Sequence, residues 1–554
     1  MSREPQHPAR RVRTPPDPLR ARRARDHVRS VAAGVVAVIG VVGLVSSISP
    51  PLRRRVHLVL DVLPMPVPRT AATTLVLVSI ALLLTARGLR RGQRLAWGGT
   101  LALLTASVVL HLAKGLDVEE AFVAALGGAW LATRGRSFQV LPTRAALHRA
   151  VVLGTLGAVV VGGISVALTR LLPHGPHDPV ENRLAPMLTA AGVGLVVAAA
   201  WVLLSPRTPI PQSPAQQRVE RERARAVVER YGGGTLDVFA LRDDKSWFFT
   251  GRSVVAHVVR GGVCLVSPDP IGPPEERVEV WAELLAYADR HGWSVAVLGA
   301  GPQWLPMYEA CGLRPVYLGD EAVVDCPSFT LEGSSRKSLR QAVARVARAG
   351  YTTTFHDPAR LGPDLVAELE AMSTESRRGE AERGFSMTLS RLFDPADTGF
   401  LLSVTRDAHG RVDAFVHWVP ARDVDGWSLD VMRRRTDADV PNGLLDACIV
   451  ATIQEVARRG QRGLALNFAV MRTVLDGERE GRFADLSRPV LSQISDRTQM
   501  ASLSRFNEKF GPTWSPRYVV LDAVEYVAAQ GVVIADAEGI TELPVIGRFL
   551  GRGV

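Results

Sequence analysis

The sequence predicts an α-helical membrane region followed by two soluble units of mixed α/β (α+β) make-up. Three observations carry this reading. Six apolar runs crowd the N-terminal third, roughly 31–49, 70–86, 95–113, 117–133, 150–172 and 186–204. Several reach the ~18–20 residues a helix needs to cross hydrocarbon. Pro206, Pro209, Pro211 and Pro214 then mark a stiff linker. Beyond them, short strand-like runs alternate with helical patterns. A buried core helix of a soluble protein would explain one apolar run, but not six in succession.

Residues 1–30 are rich in arginine and proline, with only Glu4, Asp17 and Asp26 as acids, and read as a disordered basic arm. No small-residue cleavage site follows the first apolar run, so a signal peptide is not expected. The run at 117–133 is short and opens on Glu119 and Glu120, which makes it the weakest span. Basic loops at 87–94 and 134–149 fall on the same side as the arm if there are six spans, and the loop at 173–185 holds one arginine, Arg183. Positive charge marks the cytoplasmic side. The reading is a multi-pass protein of the cell (plasma) membrane with everything after 205 in the cytoplasm, although Arg53, Arg54 and Arg55 lie on the opposite side. The net charge of +11 points to anionic partners, nucleic acid or acidic lipid.

In the soluble part, a charged helix over 215–231 stops at Gly232-Gly233-Gly234. Strand-like WFFTG, SVVAHVVRGGVCLVS and SVAVLGA follow, with a helical pattern at 275–291 before the last. A second unit begins at Ser334-Ser335, read as helix caps. In its first helix Leu339, Val343 and Val346 share a face, and Arg336, Lys337, Arg340, Arg345 and Arg348 occupy other positions. No acid occurs from Gly333 to His356, so this helix is a candidate for phosphate contact, with a merely solvated face as the alternative. Strands are expected at 351–355, 399–405, 411–419 and 426–431, a helix at 442–459, then strands at 463–469 and 516–521. The expected organisation is a 1–30 arm, a 31–204 transmembrane domain, a 205–216 linker, soluble domains at 217–332 and 333–525, and a 526–554 tail.

The chemistry-bearing stretch is Asp425 to Val450: a strand ending in Asp430 and Arg433, a polar loop, and a helix opening at Asn442-Gly443. An acyltransferase of acetyltransferase-like fold would hold its donor here, yet the glycine-rich loop that grips coenzyme A pyrophosphate is absent. The four cysteines have no metal spacing, and HExxH and Walker motifs are missing. No metal or cofactor is expected. Gly299-Ala-Gly301 is too short for a dinucleotide fingerprint. Glu382, before Arg383-Gly384-Phe385-Ser386, is a second candidate carboxylate, with Glu375, Arg377, Arg378 and Glu380 in the same polar stretch.

In order along residues 220–521, FFTGRSVVAHVVRGGVCLVSPDPIGP, YLGDEAVVDCPSFTLEGSSRKSLRQAVARVARAGY, ERGFSM, WSLDVMRRR, PNGLLDACI and SRFNEKFGPTWSPRYVV resemble the bacterial phosphatidylglycerol lysyltransferases, the multiple peptide resistance factors. LNFAVMR, Leu466 to Arg472, is similar to the actinobacterial branch, some of whose members carry a fused lysyl-tRNA synthetase. The resemblance implies tandem acetyltransferase-like (GNAT) folds that move an amino acid from aminoacyl-tRNA, with lysyl-tRNA expected, to a hydroxyl of phosphatidylglycerol; the alternatives are alanine as the amino acid, diacylglycerol as the acceptor, or a non-catalytic membrane protein that binds lipid or RNA. Asp430 and Arg433 match the family's Asp-x-x-Arg. Asp430 would bind the α-ammonium or help accept the hydroxyl proton, and Arg433 would hold a phosphate or the oxyanion. Arg378, Phe385, Ser386, Asn442 and Gly443 are expected at the substrate. Arg336, Lys337, Arg340, Lys509 and Arg517 are expected at tRNA or lipid phosphates.

Overall fold

The computed structural model describes residues 17–48, 66–115, 118–153, 197–377, 384–437, 439–470 and 500–539, with a few isolated positions between 155 and 194. The chain forms two compact units, residues 1–207 with 286–293, and residues 208–285 with 294–554.

The described part of the first unit is helical: α1 (Pro18–Ile48), α2 (Pro66–Arg90), α3 (Arg94–Gly115) and α4 (Val118–Ala132). The basic arm expected over 1–30 is therefore helical from Pro18. Its arginines favour helix, and the apolar residues from Val31 onward continue it without a breaker. Gly40 and Gly43 let α1 lie close on α2, since a methyl at either would meet Leu83 or Ser79. Segments of α1 (Pro18–Val45) and α3 (Arg94–Leu112) are long and apolar enough to cross a bilayer. The runs expected at 150–172 and 186–204 lie largely outside the described residues.

The second unit is built on one eleven-stranded sheet in the order β1-β2-β3-β4-β11-β5-β10-β9-β8-β7-β6. The strands are β1 (Ser246–Thr250), β2 (Ser253–Arg260), β3 (Val263–Val266), β4 (Ser294–Ala300), β5 (Arg314–Asp325), β6 (Thr352–His356), β7 (Leu401–Arg406), β8 (Val412–Ala421), β9 (Gly426–Arg434), β10 (Gly463–Val470) and β11 (Thr513–Leu521). The helices are α5 (Pro214–Tyr231), α6 (Arg277–His291, which belongs to this unit as far as residue 285), α7 (Lys337–Arg348), α8 (Pro363–Arg377), α9 (Leu444–Arg458), α10 (Met500–Glu508) and α11 (Val524–Ala537). Helix α5 starts on a capping box in which Ser213 and Gln216 satisfy each other's backbone N–H. The long apolar run at 253–267 is a hairpin. Gly261 and Gly262 both have positive φ, as a two-residue turn between β2 and β3 requires.

Each half of this unit contains an antiparallel meander that ends in one parallel pair, β3/β4 or β9/β10. The last strand of each half then crosses over: β5 pairs with β10, and β11 inserts between β4 and β5. The sheet thus runs unbroken through the boundary expected at 332/333. Three further expectations change. Ser334 and Ser335 do not cap α7, whose N-cap is Arg336 without a side-chain bond. The tail expected at 526–554 begins as α11, which packs Val533, Ile534 and Ala537 on β3 and β4 residues such as Val263 and Leu298. Burial of that kind contributes roughly 1.5–3 kcal/mol per large aliphatic side chain, enough to hold a helix on a sheet. The four cysteines are all buried, and none is in a disulfide.

Candidate active site

The site is set by where a parallel ladder stops. β9 and β10 pair only over Gly426–Ser428 and Gly463–Ala465. Their start is forced close: a side chain at Gly426 would strike the backbone of Gly463. Beyond Ser428, β9 continues to Arg434 without a further β10 partner among the described residues. Trp418 of β8 faces Leu429 and His417 faces Val431, so Asp430 is the extra residue of a β-bulge. Residues three apart on a regular strand point to opposite faces. The bulge brings Asp430 onto the face of His417, Val431 and Arg433, which makes an Asp-x-x-Arg pair usable on one face. Asn467 on β10, at φ 65°, donates from Nδ2 to Leu429 O at 3.0 Å and fixes the base of the opening.

Asp430 is buried, with Oδ1 accepting from Leu389 N at 2.7 Å and Oδ2 lying 2.8 Å from His417 Nδ1. A carboxylate there selects the His417 tautomer that carries its proton on Nδ1. His417 Nε2 is buried without a hydrogen-bond partner, and the ring lies beside Phe393 and Phe400. Arg433, opposite Phe415, is half-buried and donates to Met432 O. Past the strand end, Arg435 pairs with Glu375 of α8 at 2.8 Å. Glu382 and Arg378 lie outside the described residues.

Phe385 and Ser386, expected against substrate, are instead fully buried supports. Gly384 takes φ 101°, open to glycine, and starts a turn held from outside. Arg242 donates to Gly384 O and to Thr388 O and Oγ1. Lys245 sits 4.3 Å over the Phe385 ring. Glu538 Oε1 accepts from Ser386 N at 3.1 Å and Oγ at 2.7 Å. Lys245 Nζ also donates to Phe239 O and Ser267 O, and burial pushes its pKa down to about 7.

Asn442 is exposed, and both it and Gly443 adjoin α7. Arg345 donates to Asn442 O, and Gly443 has φ 92° with room for no side chain beside Ala342. The first turn of α9 already holds Asp446, a fixed anion at the helix N-terminus, paired with Lys509 Nζ at 2.8 Å. Arg336 donates to Lys509 O, so these two expected phosphate contacts do converge. Arg340 holds Leu331 O and Gly333 O from an exposed position, and Lys337 is exposed. Arg517 departs from the expectation. It is a buried ion pair with Glu321 at 2.6 Å that also donates to Thr235. Only 14% of its side chain is exposed, and its guanidinium is already engaged within the protein.

Sequence reasoning missed His417, Arg242, Lys245 and Glu538. A histidine within the apolar run AFVHWVP was the available signal for the first.

Residues 225–521 match the family described as phosphatidylglycerol lysyltransferase, C-terminal. The chain belongs to this family. It is 32% identical over 516 residues to the lysylphosphatidylglycerol biosynthesis bifunctional protein LysX of Mycobacterium tuberculosis, covering 85% of this chain and 43% of that protein. The corresponding protein of Mycobacterium avium is 36% identical over 333 residues, 58% of this chain and 28% of its own length. The chain thus spans less than half the length of these curated relatives. L-PGS from Bacillus licheniformis shares the fold at 24% identity and TM-score 0.50, over 60% of this chain and 99% of that one. The C-terminal domain of a putative lysylphosphatidylglycerol synthetase from Agrobacterium fabrum does so at 24% and 0.50, over 58% and 98%. In family terms the soluble unit is an α/β acetyltransferase-like domain, and the bulged Asp430 sits where its parallel strands part.

Proposed function

We propose that the chain is a membrane-bound aminoacyltransferase that moves a lysyl group from lysyl-tRNA to a hydroxyl of phosphatidylglycerol. The observation that carries this reading is the Asp430–His417 pair at the parting of β9 and β10, on the face shared with Arg433. Lysine and the lipid rest on the names of the relatives, and tRNA as donor rests on the family resemblance and the basic helix α7.

The reaction is ester exchange. The lipid hydroxyl attacks the aminoacyl carbonyl, a new ester bond forms, and the bond to the tRNA 3′-terminal ribose oxygen breaks. The hydroxyl proton passes to His417 Nε2, while Asp430 steadies the imidazolium, and then to the departing ribose oxygen. Arg433 offers its guanidinium to the oxyanion or to a lipid phosphate. No cofactor is required, because the donor is already an activated ester. Such a site lies in the cytoplasm with the tRNA. Its product gives the membrane a less negative surface, which weakens attraction of cationic peptides.

The test uses the full chain in detergent with phosphatidylglycerol micelles and lysyl-tRNA carrying labelled lysine. A labelled lipid with the mass of lysylphosphatidylglycerol supports the reading. Label that remains on tRNA, with well-folded protein present, overturns it. A labelled lipid formed only with alanyl-tRNA would retain the chemistry and replace the amino acid.

A further inference from the structure

We propose that Glu538, the residue directly after α11 and beyond the matched family region, is a positioning residue for the transferase site. It acts through the turn 384–389 on Asp430. This rests on the function proposed above.

The connection is a short chain of bonds. Glu538 follows α11 directly. The residue is partly exposed, but its carboxyl group is enclosed. Its Oε1 accepts from both Ser386 N and Ser386 Oγ, at 3.1 and 2.7 Å. Three residues on, Leu389 N donates to Asp430 Oδ1 at 2.7 Å. From the first half of the sheet, Arg242 holds the carbonyls of Gly384 and Thr388, and Lys245 covers Phe385. The turn therefore has two anchors on its first-half side and one directly after the C-terminal helix. Of these, Glu538 alone satisfies a backbone N–H, that of Ser386.

A buried carboxylate is costly unless its partners are in place, and burial raises the Glu538 pKa above the ordinary carboxylate range. A site that kept the acid only for packing would do better with an apolar residue of similar size. Holding a backbone turn to a fraction of an ångström is a use that an apolar residue cannot serve. Helix α11 itself is docked by Gln530, which accepts from Asp522 N and donates to Val295 O. The carboxylate thus stands on a fixed support.

The experiment compares Glu538→Ala and Glu538→Gln in the full chain, with kinetics and amide hydrogen exchange read together. Glutamine keeps the accepting oxygen and loses the charge. Expected for Glu538→Ala is a fall of about 10- to 100-fold in kcat with KM for lipid within about twofold. The amides of Ser386 and Leu389 should exchange faster, while strands β7 and β8 keep their protection. Expected for Glu538→Gln is activity within about threefold of the parent and unchanged exchange. Equal loss in both variants, or faster exchange throughout the sheet, would assign Glu538 to charge balance or global stability and overturn the proposal. So would parental kinetics in Glu538→Ala. The exchange measurement needs no turnover, so it stands even if the parent fails to transfer lysine.

Discussion

The two halves of the soluble unit part their parallel strands in the same way but finish the opening differently. In each, the strand beyond the short parallel ladder carries a residue of positive φ at a register shift, Gly299 in β4 and Asn467 in β10. Each also places an aspartate past the ladder on the preceding strand line, Asp269 after β3 and Asp430 in β9. Asp269 closes its opening. Its Oδ2 accepts from Gly301 N at 2.7 Å, directly after β4, and its Oδ1 accepts from the buried Tyr308 hydroxyl. Lys245 takes the carbonyl two residues before Asp269, Ser267 O. Asp430 binds sideways instead, to His417 on β8 and to the Leu389 amide. One fold has thus turned its aspartate to two uses, and Lys245 and Arg242 show the first half gripping the turn that contacts Asp430 in the second.

If that division is right, equivalent substitutions have unequal effects. Asp430→Asn should lower lysyl transfer at least about 100-fold, since the amide cannot stabilise an imidazolium. Asp269→Asn should leave transfer within a few-fold. Equal losses measured in one assay would break the comparison.

Gly443→Ala probes the close approach of the second half's glycine to α7. A left-handed φ and the contact with Ala342 together should cost about 2–4 kcal/mol, read as a drop in the urea midpoint. The first half enters its crossover helix α6 through Gly272, Pro273 and Pro274, none of which has a positive φ.

The third test sharpens the role of Asp269. Burial raises Asp269 to about 6, above its unfolded value of about 3.9. The folded state therefore holds an extra proton between those values. This contribution to stability is complete below about pH 4 and is lost as pH rises through about 6. Asp269→Asn removes that slope. Relative to the parent, the variant should gain on the order of 3 kcal/mol between pH 4 and 7, followed by chemical denaturation at a series of pH values. A constant difference across that range would show that the carboxyl titrates normally.

The smallest effects belong to the surface. Lys337→Ala and Arg340→Ala should weaken tRNA binding modestly and lower the slope of log affinity against log salt by about one each. Arg517→Ala should leave that slope alone and destabilise the sheet, because its partner Glu321 is buried.

Much of this architecture could be read from the chain because the signals were local. Proline marked the linker, residue types marked α5 and most strands, and Asp430 with Arg433 stood at a recognisable strand end. What escaped was non-local. The bulge at Asp430 depends on how β8 registers against β9, and no pattern within either strand fixes that. The exchange of β5 and β11 between halves joins residues almost two hundred positions apart. Phe385 and Ser386 were assigned to the site from their motif, but their burial follows from Lys245 and Glu538, which are distant in sequence. Arg517 looked like one more surface cation until its partner on β5 was placed beside it.

The most direct measurement is donor cross-linking to the full chain. A stable lysyl-adenosine analogue of the tRNA end, carrying a photoreactive group on the aminoacyl side, would be irradiated with the protein and the labelled peptides mapped by mass spectrometry. Label on peptides containing Leu389–Phe393 and Asp430–Arg434, competed by lysyl-tRNA and absent from Asp269–Gly301, is the result this account expects. Label concentrated on Asp269–Gly301 would place the donor in the first half and contradict it.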